Sequence, residues 1–390
     1  MASAFKIILW VAVLVVIAWV GYVVLGNKEA RTPTKTSTPS VSREPIKIGF
    51  IGALTGDGAE YGEPQKNALQ LGVEDINQSG GIKGVPLEVI YEDGKCNGEG
   101  GANAAQKLVN VDKVKIILGG SCSSETLAAL PIAEAAKTFI ITGSATSPDL
   151  INTSKFFARD YPNDLTQGKV LAEAASARKW KKVAVIQEQT DYALGVIKAF
   201  STRFAELGGS VIKKEEFASA TTDYRSSLSK LKAAKPDALL IAVQTNASGE
   251  RILKQLQDLK WKPKLMVSDV VGTDAKTVEK NKTALEEALF ADFFFDTANV
   301  KFQSFNSTYK AKYGTEAQFL GYTTAVYDSL YLMKDGILAV GYDGEKIADW
   351  VRTVKDWNGI SGKITIGSDG ERTGGHVLKI IKDGKVEVAQ

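Results

Sequence analysis

GGSCSSETLAALPIAEAAKTFIITGSATSPDL, residues 119–150, decides the fold of this chain. It holds two small, hydroxyl-rich loops, Ser121–Ser124 and Ser144–Ser147, and each follows a short apolar run. One helical segment, Glu125–Ala136, joins them. That order is the βαβ unit of a parallel sheet, and open α/β sheets bind ligands in loops at the carboxyl ends of their strands. Hydroxyls and free backbone N–H groups suit a small carboxylate, and nothing in either loop offers chemistry on one.

The same rhythm runs outward in both directions. IKIGFIGAL (46–54), LEVIYED (87–93), VKIILGG (114–120) and FIIT (139–142) read as strands, with helices over 64–77, 101–109 and 125–136. It then restarts: helix 165–177, strand 182–188 and helix 192–207, the last stopped by Gly208-Gly209. Strands follow at 210–217, 238–243 and 264–268, with helices 224–233 and 247–259 between them. Helices at 302–313, 323–340 and 345–357 precede strand-like pieces at 362–366 and 377–382. The expectation is two α/β lobes, each around a largely parallel sheet with helices on both faces.

Length and composition agree. A chain of 390 residues exceeds one ordinary domain, and 44% hydrophobic residues supply ample core. The net charge of +3 comes from Lys and Arg dispersed among Asp and Glu, so no basic stripe points to nucleic acid. Ile7–Leu25 carries no charge and, as a helix, would span about 28 Å, close to a bilayer core. No small-x-small cleavage site ends it, so residues 1–26 read as an uncleaved membrane anchor, with a cleaved signal as the alternative. The Thr-, Ser- and Pro-rich residues 27–45 read as a flexible linker.

Catalytic options are thin. The single histidine, His376, has no Cys or carboxylate cluster beside it in sequence, so a triad or a His-rich metal site is not expected. Gly56-x-Gly58 is followed by Gly62, one residue too far for a dinucleotide fingerprint, and reads as a turn. No enzyme activity and no cofactor are expected. Cys96 and Cys122 fall on loops at the same end of adjacent strands, where the geometry permits a bridge; two separate buried thiols are the other reading. A bridge would contribute about 3.5 kcal/mol by loop closure and implies an oxidising compartment. Ser123 and Ser124 open a helix, either as simple caps or as donors to a carboxylate. Four Asn-x-Ser/Thr patterns, at Asn152, Asn246, Asn281 and Asn306, are short enough to arise by chance.

Several stretches together resemble one family. They are IKIGFIGALTGDGAEYG (46–62), ALQLGVEDINQSGGIKGVPLEVIYEDGKC (68–96), GGSCSSETLAALPIAEA (119–135) and ITGSATSPDL (141–150). Further along come TDYALG (190–195), TDYRSSLSKLKAAKPDALLI (222–241), AVYDSLYLM (325–333) and WNGISGKITIGSDGE (357–371). The chain is similar to the substrate-binding proteins of branched-chain amino-acid ABC transporters, the Leu/Ile/Val-type periplasmic binding proteins. The resemblance implies two Rossmann-like lobes joined by a three-strand hinge, residues 46–163 with 296–355 and residues 164–295 with 356–390, around a ligand cleft. It implies that Ser123, the backbone at Ser144 and the Thr146 hydroxyl hold a ligand carboxylate, and that Thr146 and Asp269 face its ammonium. Tyr61, Tyr192 and Phe319 would line the cleft. Gln244 stands where the family often has an aromatic residue, so the ligand side chain is left open. The resemblance also implies the Cys96–Cys122 disulfide. The function it implies is an extracytoplasmic monomer that delivers a small amino acid or related amide to an ABC permease. A sensory ectodomain of the same fold and a binder of urea or short amides are the alternatives.

Overall fold

The structure is a computed structural model that describes residues 44–389. The expected anchor, and the expected linker up to Arg43, lie outside the described residues. No helix of the described residues is long and apolar enough to cross a membrane.

The first sheet is wholly parallel. Its strands are β1 (Ile46–Gly52), β2 (Leu87–Asp93), β3 (Ile116–Gly119), β4 (Phe139–Thr142) and β5 (Phe157–Arg159), in the order β2-β1-β3-β4-β5. Every residue of β3 and β4 is buried, because helices cover both faces; hence the unbroken apolar runs IILG and FIIT. Ile48, Phe50, Leu118 and Ile141 pack on one face, and Ile51, Ile117 and Ile140 on the other. Helices Ala59–Gln78 and Leu320–Val340 cover the first face, and Gly98–Asn110 and Ser123–Ala135 the second.

The second sheet comprises β6 (Lys182–Glu188), β7 (Ser210–Phe217), β8 (Ala238–Ala242), β9 (Lys264–Val267), β10 (Leu289–Phe293), β13 (His376–Lys382) and β14 (Lys385–Val388). Its order is β14-β13-β10-β9-β8-β6-β7, with β13 and β14 antiparallel at one edge. Between β10 and β13 in sequence, β11 (Trp357–Gly359) and β12 (Gly362–Ile364) form a small hairpin.

The chain passes between the sheets three times, after β5, after β10 and before β13. Two passages run side by side: Arg159 N–H donates to the Gly370 carbonyl at 2.8 Å, and Arg372 N–H to the Arg159 carbonyl at 3.0 Å. The expected lobe boundary at 356 falls early. Trp357, Ile364 and Ile366 pack with the first sheet, so the chain returns to the second only after Ile366. The helix expected over 345–357 stops at Val351, and Trp357 opens the hairpin instead. Strands β5, β10, β11 and β14 are additions to the sequence reading, and the first helix starts at Ala59 rather than 64.

Gly62 shows why the first turn is built as it is. A Cβ there would lie 1.8 Å from the Ala53 carbonyl oxygen, so the glycine lets the helix close onto the end of β1. The G-x-G-x-x-x-G spacing serves packing.

Candidate functional site

Loops at the carboxyl ends of the first sheet form one wall of a cleft, and the wall is heavily tied. Cys96 and Cys122 are bridged, with Cα atoms 5.2 Å apart. Glu125, in the first turn of helix Ser123–Ala135, accepts from Cys96 N–H at 2.8 Å and Cys122 N–H at 2.9 Å. Burial pushes Glu125 up to about 7. The helix cap is therefore Cys122 with Glu125, a capping box. Ser123 does other work: its hydroxyl oxygen accepts from Thr146 N–H at 3.2 Å and Ser147 N–H at 3.1 Å. It staples the two serine loops together, and its own O–H remains available to donate. Ser144 Oγ donates to the Ser121 carbonyl at 3.1 Å, while Ser144 N–H donates to Thr142 Oγ1 at 3.2 Å.

Arg159 anchors this wall from behind. Fully buried, it forks onto Glu371 at 2.8 Å and donates to the carbonyls of Ala145 and Ser147 at 3.0 Å each. The planar guanidinium suits that bidentate geometry, and the pair lies on the two adjacent passages. Loop 144–147 and the crossing strands are thereby one unit.

The opposite wall carries a buried carboxylate. Asp269 opens the short helix Asp269–Thr273 after β9 and is 1% exposed. All its side-chain hydrogen bonds come from neutral donors: Tyr192 Oη at 2.5 Å, Tyr322 Oη, and its neighbour's N–H, Val270, at 3.0 Å. Burial, then the charge of Asp292, raises its pKa, and the two tyrosine hydroxyls pull it back. Tyr192 belongs to the helix after β6, whereas Tyr322 reaches across from helix Leu320–Val340, which packs on the first sheet. A carboxylate held by neutral groups is suited to receiving an ammonium.

The walls touch directly. Tyr61 Oη donates to the Gln244 carbonyl, Ser124 Oγ to Asp191 at 2.6 Å, and Asn246 N–H to Glu60 at 2.9 Å. The cavity between them is correspondingly tight, about 10 Å³, room for about one water and far below an ordinary ligand site. A roomier groove of about 940 Å³ lies on the outer face of the first lobe, between helix Val300–Tyr313 and the β11–β12 hairpin. The cleft is the better candidate, because buried polar groups from both sheets converge there.

Of the residues expected at the site, Tyr61, Ser123, Ser144, Tyr192 and Gln244 line the cavity. Asp269, Thr146 and Phe319 stand one layer behind. Asp269 reaches the lining through the tyrosines. The buried Thr146 sets its hydroxyl beside the buried Asp164, and Phe319 packs edge-on to Tyr61 with ring centres 4.8 Å apart. Ser121, in the first of the two serine loops, lines it as well, and the sequence reading missed Gln65, Val270 and Tyr322. Gln65 had a signal: it lies four residues after Tyr61, on the same helix face. Tyr322 had none, since its helix is apolar enough to pass as core. Among the described residues no cluster of three or more His, Cys, Asp or Glu is placed to hold a metal. His376 is buried beside Thr166, and burial pulls it down to about 3.

Two α/β lobes, a chain that crosses between them three times and a polar cleft at the crossing define a bilobal ligand-binding protein. Residues 45–380 match the family model described as periplasmic binding protein, and the chain belongs to that family. It is 32% identical over 197 residues to the leucine-, isoleucine-, valine-, threonine- and alanine-binding protein of Pseudomonas aeruginosa. That match covers 50% of this chain and 52% of the relative, so the chain spans about half the length of the curated relatives it matches first. Among solved structures it is similar to a leucine binding protein from Thermotoga maritima, with TM-score 0.80 and 28% identity over 88% of this chain and 98% of the other. It is also similar to a branched-chain amino acid transporter substrate binding protein from Streptococcus pneumoniae in complex with isoleucine. There the TM-score is 0.78 and the identity 27%, covering 89% and 99% of the two chains.

Proposed function

We propose that this protein is an extracytoplasmic solute-binding protein that captures a small amino acid in the cleft and delivers it to an ABC permease. The supporting observation is the pairing of walls: Ser123 and Ser144 line the same cavity as Tyr192 and Tyr322, whose hydroxyls donate to the buried Asp269 behind them, and the donors to Asp269 are all neutral. A zwitterion complements both, its carboxylate toward the serine loops and the N-terminus of helix Ser123–Ala135, its ammonium toward Asp269. The relatives named for leucine, isoleucine, valine, threonine and alanine, or found with isoleucine, agree with that chemistry.

In this reading the Ser123 hydroxyl meets the carboxylate, with Ser144 and Thr146 holding the loops around it, Asp269 serves the ammonium, and Tyr61, Tyr192, Phe319 and Gln244 shape the remainder. A ligand needs more room than the closed cleft offers, so the lobes part about the three passages and close again around it, a population shift set by contacts from both walls. The run Ile7–Leu25 would tether a monomer at the membrane, and the Cys96–Cys122 bridge fits the oxidising side. The reading involves binding without chemistry.

Titration calorimetry on the purified full chain tests it. Asp269→Ala should weaken the binding of any amino-acid ligand at least about tenfold. Unchanged affinity would remove Asp269 from the site and the zwitterion reading with it.

A further inference from the structure

Once the two ends of a zwitterion are assigned as above, the rest of the cavity must face the ligand's side chain. Its remaining lining includes Tyr61, Gln65, Ser121, Gln244 and Val270. Only Val270 is aliphatic. Tyr61 has its hydroxyl engaged on the Gln244 carbonyl, and Gln244 N–H donates to Glu188 at 2.8 Å, which leaves the Gln244 carboxamide to the cavity.

Gln65 is the informative residue. It is fully buried, at 0% exposure, in the helix that carries Tyr61. Its Oε1 accepts from Ser121 Oγ at 2.7 Å, and that bond fixes the amide plane. Its Nε2, also buried, has no hydrogen-bond partner among the described residues, and the side chain lines the cavity. A buried amide donor left unpaired carries its full desolvation cost. An aliphatic ligand side chain would leave it so, whereas a hydroxyl or carboxamide oxygen would accept from it. Were the amide turned end for end, Oε1 would face the ligand, and the same two groups would satisfy it, because each both donates and accepts.

We infer that the side-chain end of this cleft selects an amino acid bearing a hydroxyl or carboxamide over an aliphatic one of equal size, with Gln65 as the specificity-determining residue. This rests on the amino-acid reading above. It differs from a general preference for small ligands, because it sorts molecules of the same shape by one polar group. Sites built to hydrogen-bond a ligand reject the analogue lacking that group far more strongly than apolar pockets reject an added methylene.

Isosteric pairs provide the test: L-threonine against L-valine and L-asparagine against L-leucine, titrated calorimetrically into the full chain. In each pair the polar member should bind at least about tenfold more tightly. Gln65→Met, which keeps the length and loses the amide, should bring both pairs to within about threefold while leaving the melting temperature near that of the parent. Equal or tighter binding of valine and leucine by the parent protein overturns the inference and leaves the amino-acid reading standing. Equal weakening of all four ligands by Gln65→Met overturns the role of Gln65. If none of the four binds the parent protein, the amino-acid reading itself falls. The parent ratios need no variant, so a misfolded Gln65→Met still leaves the preference decided.

Discussion

The two walls of the cleft are built on opposite plans. The first is a set of donors locked in place: a disulfide, the Glu125 capping box, the Ser123 staple and the Arg159 fork each fix one of its loops. The second offers a single carboxylate on a five-residue helix, steadied by two tyrosine hydroxyls, one of them borrowed from the other lobe. Hydroxyl and N–H donors are individually weak, so several must be aimed together, and aim requires rigidity. One desolvated charge needs little aiming, because its field acts over a wider range of geometry. The protein has put its covalent and ionic bracing where precision is needed.

The largest test of that contrast is the brace behind the first wall. Glu371→Ala would leave the Arg159 guanidinium buried without its partner, and loss of one member of such a pair costs about 3–5 kcal/mol. Denaturant unfolding should register the whole of it, and a change below about 1 kcal/mol would show that the carbonyls of Ala145 and Ser147 suffice to hold Arg159. Replacing Cys96 and Cys122 together by alanine should remove about 3.5 kcal/mol by the loop-closure argument. Reduction of the parent protein should lower its unfolding free energy by the same amount.

Glu125 provides a pH test. Its pKa in the folded protein is raised to about 7 from 4.5, so the folded form holds a proton that the unfolded form has released across that window. Stability contributed by this group is therefore lost as the pH rises from about 4.5 to 7, by up to roughly 3 kcal/mol. Glu125→Gln, compared with the parent across the same pH range, should cancel that slope, on top of a pH-independent loss because its single amide oxygen can accept only one of the two N–H bonds from Cys96 and Cys122. The smallest effect concerns the second wall. Tyr322→Phe removes the borrowed donor from Asp269, worth about 1 kcal/mol. Calorimetry should then show amino-acid binding strengthened by up to about fivefold, since the ammonium no longer competes with the hydroxyl. Weaker binding would show that Tyr322 contacts the ligand instead.

Much of this architecture is legible in the chain. IILG and FIIT are apolar throughout because both sheet faces are covered, and that pattern identified the parallel sheet. The serine loops that follow them were read as ligand loops for the same topological reason, and Ser123 and Ser144 do line the cavity. What the pattern hid was short or polar. The strand Phe157–Arg159 holds a fully buried arginine, which single-residue reasoning assigns to solvent. The strand Leu289–Phe293 carries the charged Asp292 within it. Trp357 ends no helix but begins a hairpin on the first sheet. Tyr322 was missed because its role depends on which helix meets which loop in space, and spacing along the chain does not carry that; Gln65, four residues after Tyr61 on one helix face, could have been read.

The borrowed hydroxyl of Tyr322 has a wider consequence. A carboxylate satisfied from both lobes gives the closed form a reward of its own, with no ligand required. On the proposed reading, any ligand must outbid that internal rival before it gains anything from Asp269, and its apparent affinity is lowered by the share of molecules already closed. The residue at 322 would then set a capture threshold: how scarce a solute must become before the cleft stays empty, independently of which solute the pocket prefers.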